Sequence, residues 1–403
     1  MDPDLSQLDA YLDADGYDGY LVDADSSNST QRYLSGFDAP DPFVTVYTPE
    51  RTALLVSALE YGRAKKESRA DDVSRLADYD YRALAAEHGG SEAKARVVAA
   101  WLDDHGVDSV ATPERFPLGP ADHLRERGVA VAPETEDVVT DIRARKTPEE
   151  IENIRTAQQA NEAAMRAAAD LLEDASIVQS DEVDADTTDG DHQILRYDSD
   201  VLTSERVKEE IEVTLLRHGC ALDETIVACG VDAADPHDRG SGPLRPNEPI
   251  IVDIFPRSKA TKYHADMTRT FVKGEPTETV REWFELTHEA LDAALDAVEA
   301  GVTGAAVHDA ACDVYEDAGL PTLRSDPTTE TGFIHSTGHG VGLDVHELPR
   351  VSPDGGELRP GHVITIEPGL YAPAVGGVRI EDLVVVTEDG YENLTEHPIE
   401  LQL

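Results

Sequence analysis

Four carboxylates sit in or against apolar strands, and that placement constrains the chain more than any other feature of it. Asp253 stands in the middle of PIIVDIF, flanked by Ile251, Val252 and Ile254. A carboxylate there is expensive to bury unless it is ion-paired or bound to a metal. Asp266 follows in YHADMTRTF, Glu367 closes the run VITIE, and Glu381 opens EDLVVVT. Strand character at these runs puts Asp253 and Asp266 on paired strands of one hairpin, with PRSKATK as its turn. A capped or ion-paired carboxylate is the alternative for any one of these acids. Solvated surface acids are not placed in this way.

A histidine cluster adds to the set. HSTGHGVGLDVHELP, residues 335–349, holds three of the fourteen histidines, with Gly338, Gly340 and Gly342 interleaved. Histidine is a common metal ligand and the usual acid or base near neutral pH. Glycine lets a backbone turn sharply or approach closely. Two aspartates, two glutamates and a histidine suit a pair of divalent cations. Oxygen ligands favour Mn, Fe or Co type ions, and an imidazole fits any of them. Two carboxylates can bridge ions about 3.5–4 Å apart, and such a pair activates a water.

The rest of the chain bounds the class. Its 403 residues allow two domains with real cores. Up to about residue 140, apolar runs alternate with helical patterns. YDGYLVDA reads as a strand, FVTVYTPERTALLVSALEY as a hairpin turning at TPER, and SEAKARVVAAWLDDHGV as a helix stopping at Gly106. This part, residues 1–143, is expected to be a smaller α/β domain without a phosphate loop or nucleophile elbow. Residues 144–403 form the second domain. Thr147, Pro148 and Glu150 have the order of a helix cap, a first-turn proline and a capping-box acid, so a helix should run to about Leu172. The acidic run SDEVDADTTDGDH only superficially resembles a calcium loop and is expected to be a solvated loop. Residues 202–219 and 302–319 echo each other, each a Thr-started helix ended by Gly. That points to two similar helix-plus-sheet halves with a site between them, with chance similarity as the alternative.

Acidic residues number 82 against 34 basic ones, a net charge of −48. Spread from end to end, they fit a surface kept soluble in a very salty cytoplasm, and they disfavour nucleic-acid binding, which needs basic patches. Three cysteines without CxxC spacing suggest neither a disulfide framework nor a zinc ribbon. No signal-peptide pattern and no membrane-length apolar run is found. The expectation is a soluble cytoplasmic protein that binds neither membrane nor nucleic acid.

The second part of the chain resembles the pita-bread metallopeptidases of family M24: Xaa-Pro dipeptidases (prolidases), aminopeptidase P and methionine aminopeptidases. HSTGHGVGLDVHE matches the prolidase and aminopeptidase P histidine signature. VDIF…HADMTRT, that signature, IEPGLY and GVRIED occur in the family's order over about residues 145–400. The first 140 residues resemble the N-terminal domain of prolidases and aminopeptidase P. The resemblance implies an α+β chain whose pita-bread catalytic domain follows a creatinase/prolidase-type α/β domain. It implies that Asp253, Asp266, His339, Glu367 and Glu381 hold two divalent metal ions, Mn ahead of Co, Fe or Zn. Asp266 and Glu381 would bridge the ions, and Glu367 would help deprotonate the attacking water.

It further implies that His346 contacts substrate and steadies the tetrahedral intermediate. His335 and His237 match further substrate-side histidines, and Arg379 the arginine two residues before the last ligand, with an ion pair to one of the acids as its alternative. Asp253 and Asp266 are thirteen residues apart, two more than the commoner family spacing, and strand alternation absorbs a two-residue insertion. The implied function is hydrolysis of the N-terminal residue from Xaa-Pro peptides or dipeptides by a metal-bound hydroxide, in a homodimer. A metal-free creatinase-like C–N hydrolase and a non-catalytic pita-bread binding module are the alternatives.

Overall fold

Strand and helix alternate through the first 143 residues as their apolar spacing requires. The structure is a computed structural model and describes residues 3–179 and 193–403. The run SDEVDADTTDGDH, expected as a solvated loop, lies outside the described residues. The chain divides into two compact units, Met1–Arg143 and Ala144–Leu403.

The first unit is built on a six-stranded mixed sheet. Its strands are β1 (Gly19–Ala24), β2 (Phe43–Thr48), β3 (Arg51–Val56), β4 (Asp72–Arg75), β5 (Ser109–Pro113) and β6 (Ala130–Glu134). They lie in the order β4-β3-β2-β1-β5-β6. Thr48 pairs with Arg51, so the hairpin turns at Pro49 and Glu50, inside TPER. β3 ends at Val56, five residues before the end of the expected run. Helix α1 (Gly90–Asp104) lays Val97, Val98, Trp101 and Leu102 against Leu21, Val44, Val46 and Leu55 of the sheet. Gly106, at φ +71°, lets the chain turn away after it.

The second unit starts on helix α2 (Pro148–Asp174). The Thr147 hydroxyl accepts from the Glu150 N–H and the Glu150 carboxylate from the Thr147 N–H, the expected capping box, a device worth about 1 kcal/mol. Helices α3 (Ser204–Arg217) and α5 (Gly304–Asp317) are the echoed pair. Each has fourteen residues and a threonine cap, Thr203 or Thr303. Between them lies α4 (Glu278–Asp296). α2 and α3 cover a three-stranded antiparallel sheet of β7 (Ile226–Cys229), β8 (Ile250–Ile254) and β9 (Met267–Phe271), with β8 central. α4 and α5 cover a five-stranded sheet. That sheet contains β10 (Gly338–Gly340), β11 (Glu347–Val351), β12 (Val363–Ile366), β15 (Asp382–Thr387) and β16 (Gly390–Asn393), in the order β11-β10-β12-β15-β16. A separate hairpin joins β13 (Gly369–Ala372) to β14 (Gly376–Arg379). Each half has its own apolar core, and a small cluster of Ile226, Ala228, Ala233, Ile251 and Tyr371 joins the two.

The β8–β9 connection differs from expectation. PRSKATK is no simple turn: Arg257 and Ser258 pair with Ala221 and Cys220, and the reversal falls at Ser258–Tyr263, where Lys262 takes φ +71°. Asp253 pairs with Thr268 and Ile254 with Met267, so Asp266 precedes its strand instead of lying within it. Among the described residues no helix is long and apolar enough to cross a membrane.

Candidate metal centre

Strands of both halves and the residues flanking them deliver the acids. Asp253 sits within β8, hydrogen-bonded on both sides, opposite Ile226 and Thr268. Asp266 is held through its backbone: its N–H donates to Gln158 Oε1 at 3.2 Å, and Gln158 Nε2 donates to its carbonyl at 3.1 Å. The other half supplies His339 from β10, Glu367 one residue beyond β12 and Glu381 one residue before β15. A Cβ on Gly338 would lie 1.9 Å from the Thr365 carbonyl, so only glycine lets β10 come this close to β12. The same approach lets the His339 N–H donate to Thr365 Oγ1 at 3.1 Å. The Glu367 N–H donates to the Thr337 carbonyl at 2.7 Å. Thr268 Oγ1 donates to Glu381 Oε2 at 2.8 Å, tying the second half's acid to β9.

Asp266, His339 and Glu381 each offer a ligand atom, all within 4.8 Å of one another. His339 Nε2 lies 3.4 Å from Glu367 Oε1 and 3.7 Å from Asp266 Oδ2. His339 Nδ1 faces the Gly340 carbonyl at 3.2 Å. A carbonyl only accepts, so this contact puts the proton on Nδ1 and leaves the Nε2 lone pair facing the carboxylates. Burial pushes Asp266 and Glu381 well above the ordinary carboxylate range, and the neighbouring acids push them further. Burial also drives Glu367 up to about 8, against the opposing pull of Arg379. Burial, and the nearby His346, bring His339 down to about 3. Asp253 Oδ1 is buried with no hydrogen-bond partner among the described residues. Crowded acids, an orphaned carboxylate oxygen and an unprotonated imidazole nitrogen are the donor set that hard divalent cations require. Asp266, His339 and Glu381 could hold one such ion, with Glu367 and Asp253 bordering the same space.

The remaining expected residues surround this set. The His346 ring stands edge-on to His339 with centroids 4.2 Å apart and is otherwise exposed. His237 is exposed too; burial above all, then Arg379 for His335 and His237 beside both, holds the protonation of His335 and His346 down. Arg379 makes the ion pair that was its alternative, with Nη2 donating to Asp253 Oδ2 at 2.8 Å. It also donates to the Tyr371 hydroxyl, the Pro236 carbonyl and Thr268 Oγ1. His335 sits differently from a free substrate-side imidazole. Its Nδ1 is 2.7 Å from the Ser336 carbonyl and its Nε2 3.0 Å from the Tyr371 hydroxyl. Both nitrogens of His335 are therefore engaged within the protein.

Tyr371, Gln158, Thr268 and Arg269 were missed from sequence. Tyr371 lay in the quoted IEPGLY, and a phenol at the end of an apolar run was the available signal. Arg269, in MTRT, spends all five N–H groups on Asp382 and four backbone carbonyls behind the site. Gln158 gave no signal, being one glutamine on a long polar helix.

The model of metallopeptidase family M24 matches residues 152–388, and that of the creatinase/prolidase N-terminal domain matches residues 5–145. The chain therefore belongs to metallopeptidase family M24, as its motifs indicated, and its second unit has the family's pita-bread fold. The Xaa-Pro dipeptidase of Pyrococcus furiosus is 30% identical over 402 residues, covering 98% of this chain and 99% of its own. That of Pyrococcus horikoshii is 28% identical over 407 residues, covering 100% and 99%. The crystal structure of the P. horikoshii OT3 prolidase superposes with a TM-score of 0.76 over 98% of this chain and 99% of its own, at 28% identity. An X-Pro aminopeptidase from Thermotoga maritima reaches 0.75 at 25% identity, covering 96% and 98%. The family implies divalent metal ions and an enzyme, and neither a metal-free creatinase-like hydrolase nor a non-catalytic module is favoured.

Proposed function

We propose that this chain is a metallo-exopeptidase that releases the N-terminal residue from Xaa-Pro dipeptides, or from longer peptides with proline second. The observation that carries the proposal is the convergence of Asp266, His339 and Glu381 within 4.8 Å, with Glu367 and the orphaned Asp253 oxygen beside them. End-to-end similarity to Xaa-Pro dipeptidases supports the substrate class.

In this proposal Asp253, Asp266, His339, Glu367 and Glu381 would hold two divalent ions, Mn ahead of Co, Fe or Zn. Such ions polarise a scissile carbonyl and make a bound water acidic near neutral pH. Glu367, 3.4 Å from His339 Nε2, would be ionised once ions are bound and would accept the proton of the attacking water. His346, exposed beside His339, donates to the carbonyl oxygen as negative charge gathers there. His237 faces the same space and holds substrate, while His335 lines it. Arg379 orients Asp253 through the 2.8 Å ion pair. A homodimer and a salty cytoplasm are the proposed setting, the latter supported by the net charge of −48.

The test compares rates on Xaa-Pro and Xaa-Pro-Yaa peptides with Mn, Co, Fe or Zn in high salt, before and after chelation. Cleavage of the dipeptide alone makes the enzyme a dipeptidase, and cleavage of both an aminopeptidase. A chelated protein as fast as the loaded one would sink the proposal.

A further inference from the structure

Lys146 and Glu347 lie 201 residues apart, yet Lys146 Nζ donates to Glu347 Oε2 at 3.0 Å. Their side chains are 1% and 2% exposed. Burying such a pair costs several kcal/mol per ion, and an apolar pair of similar volume is often as stable. Stability alone is therefore a poor reason for this pair, and its surroundings suggest another.

Glu347 is the hub of a tight turn. Its Oε1 accepts from the Asp344 N–H at 3.0 Å. The Gly342 N–H donates to the Asp344 carbonyl at 3.0 Å, and the His264 N–H to the Gly342 carbonyl at 2.8 Å. A Cβ on Gly342 would lie 2.5 Å from Glu347 Oε2, so the backbone is wrapped directly on the carboxylate. Lys146 is fixed in turn, its N–H donating to the Gly361 carbonyl at 2.9 Å just ahead of β12. The residue whose ring emerges from this wrapped turn is His346, 4.2 Å from the His339 ring.

We propose that Lys146 and Glu347 are positioning residues for His346: their buried ion pair sets the 342–347 turn and so aims the His346 imidazole at the substrate. This rests on the role given to His346 in the proposed function.

The test uses Lys146→Met, the double variant Lys146→Met/Glu347→Leu, and His346→Ala with and without Lys146→Met. Readouts are kcat and KM on an Xaa-Pro dipeptide, bound zinc per chain, melting temperature, and the ring Cε1–H signal of His346 in zinc-loaded protein. That signal is assigned by its loss in His346→Ala. Lys146→Met is expected to lower kcat by on the order of 10- to 100-fold, as small misplacements do, to leave bound zinc unchanged, and to shift the His346 signal. In the His346→Ala background it is expected to cost less than about 2-fold, because both changes act through one ring. The double variant removes both charges of the pair, so it is expected to recover melting temperature but not kcat or the His346 signal. Recovery of all three in the double variant, equal losses with and without His346, or an unmoved signal would each overturn the proposal. If wild-type protein cleaves no Xaa-Pro peptide, the function falls, while the His346 signal still decides the pair.

Discussion

Arg379 Nη2 donates to Asp253 Oδ2 at 2.8 Å, while the other oxygen of Asp253 is buried without a partner among the described residues. One half of the carboxylate is neutralised by the protein and the other is left over. Both side chains are nearly out of solvent, at 4% and 13% exposure, so breaking the pair from one side leaves a buried charge. Arg379→Ala is expected to destabilise the protein by about 3–5 kcal/mol and to lower kcat/KM by on the order of 100-fold. Arg379→Lys keeps the charge but cannot reach Asp253, Tyr371 and Pro236 together, so its rate should fall while its stability falls less. Thermal melts and kinetics on metal-loaded protein check both. An Arg379→Lys variant with wild-type rate would make the arginine a charge and nothing more.

The crowded acids set a pH dependence that metal should reverse. Glu367 is pushed up to about 8, and Asp266 and Glu381 are raised well above the usual range, in the metal-free chain. The unfolded chain loses these protons near pH 4–4.5. A folded state that holds them longer loses stability as pH rises from there, with the Glu367 part of the loss complete by about pH 8. Bound divalent ions displace the protons, so loaded protein should not show this fall, and metal uptake near neutral pH should release protons. Melting temperature against pH with and without chelator, and calorimetric titration of metal in two buffers of different ionisation heat, measure this. Chelated and loaded proteins with parallel pH curves would show that these acids are not where metal binds.

Tyr371 bridges Arg379 and His335, 2.9 Å from one and 3.0 Å from the other. Through it, His335 is connected to Asp253. Tyr371→Phe and His335→Phe should each lower kcat, and the double variant should be no worse than the weaker single, since both break one chain of hydrogen bonds. Independent losses that multiply would mean that His335 works on substrate directly, as the motif alone implied.

The chemistry of the site was far more legible than its support. Asp253, Glu367 and Glu381 announce themselves because a charge in an apolar run has few affordable explanations. His339 is marked by its glycine neighbours, and Gly338 does sit where a side chain would strike Thr365. The caps of α2, α3 and α5 were readable because a capping threonine acts on residues three positions away. What could not be read were contacts formed only when distant segments meet. Gln158 clamps Asp266 across 108 residues and Lys146 finds Glu347 across 201, and neither side chain is unusual in its local setting. The turn before Asp266 was misjudged for a related reason, because Arg257 and Ser258 pair with a strand that lies far earlier in the chain.

The charge balance makes a prediction about salt whose sign follows from arithmetic. If every one of the 34 basic residues were paired, 82 − 34 leaves 48 acids without a cationic partner. Local networks exist, such as Arg324 with Asp309, Asp313 and Glu316, and salt weakens exposed pairs of this kind. Those pairs are few beside the unpaired acids, and each contributes little, so screening of repulsion should win. Melting temperature is expected to rise with NaCl or KCl from 0.1 M, most steeply below about 1 M, where the screening length falls from about 10 to 3 Å. The two salts should act alike, and an uncharged osmolyte should not reproduce the initial steep rise. A melting temperature that is flat or falls over this range would mean that the acidic surface is not under repulsive strain, and the salty setting proposed for the enzyme would lose its support.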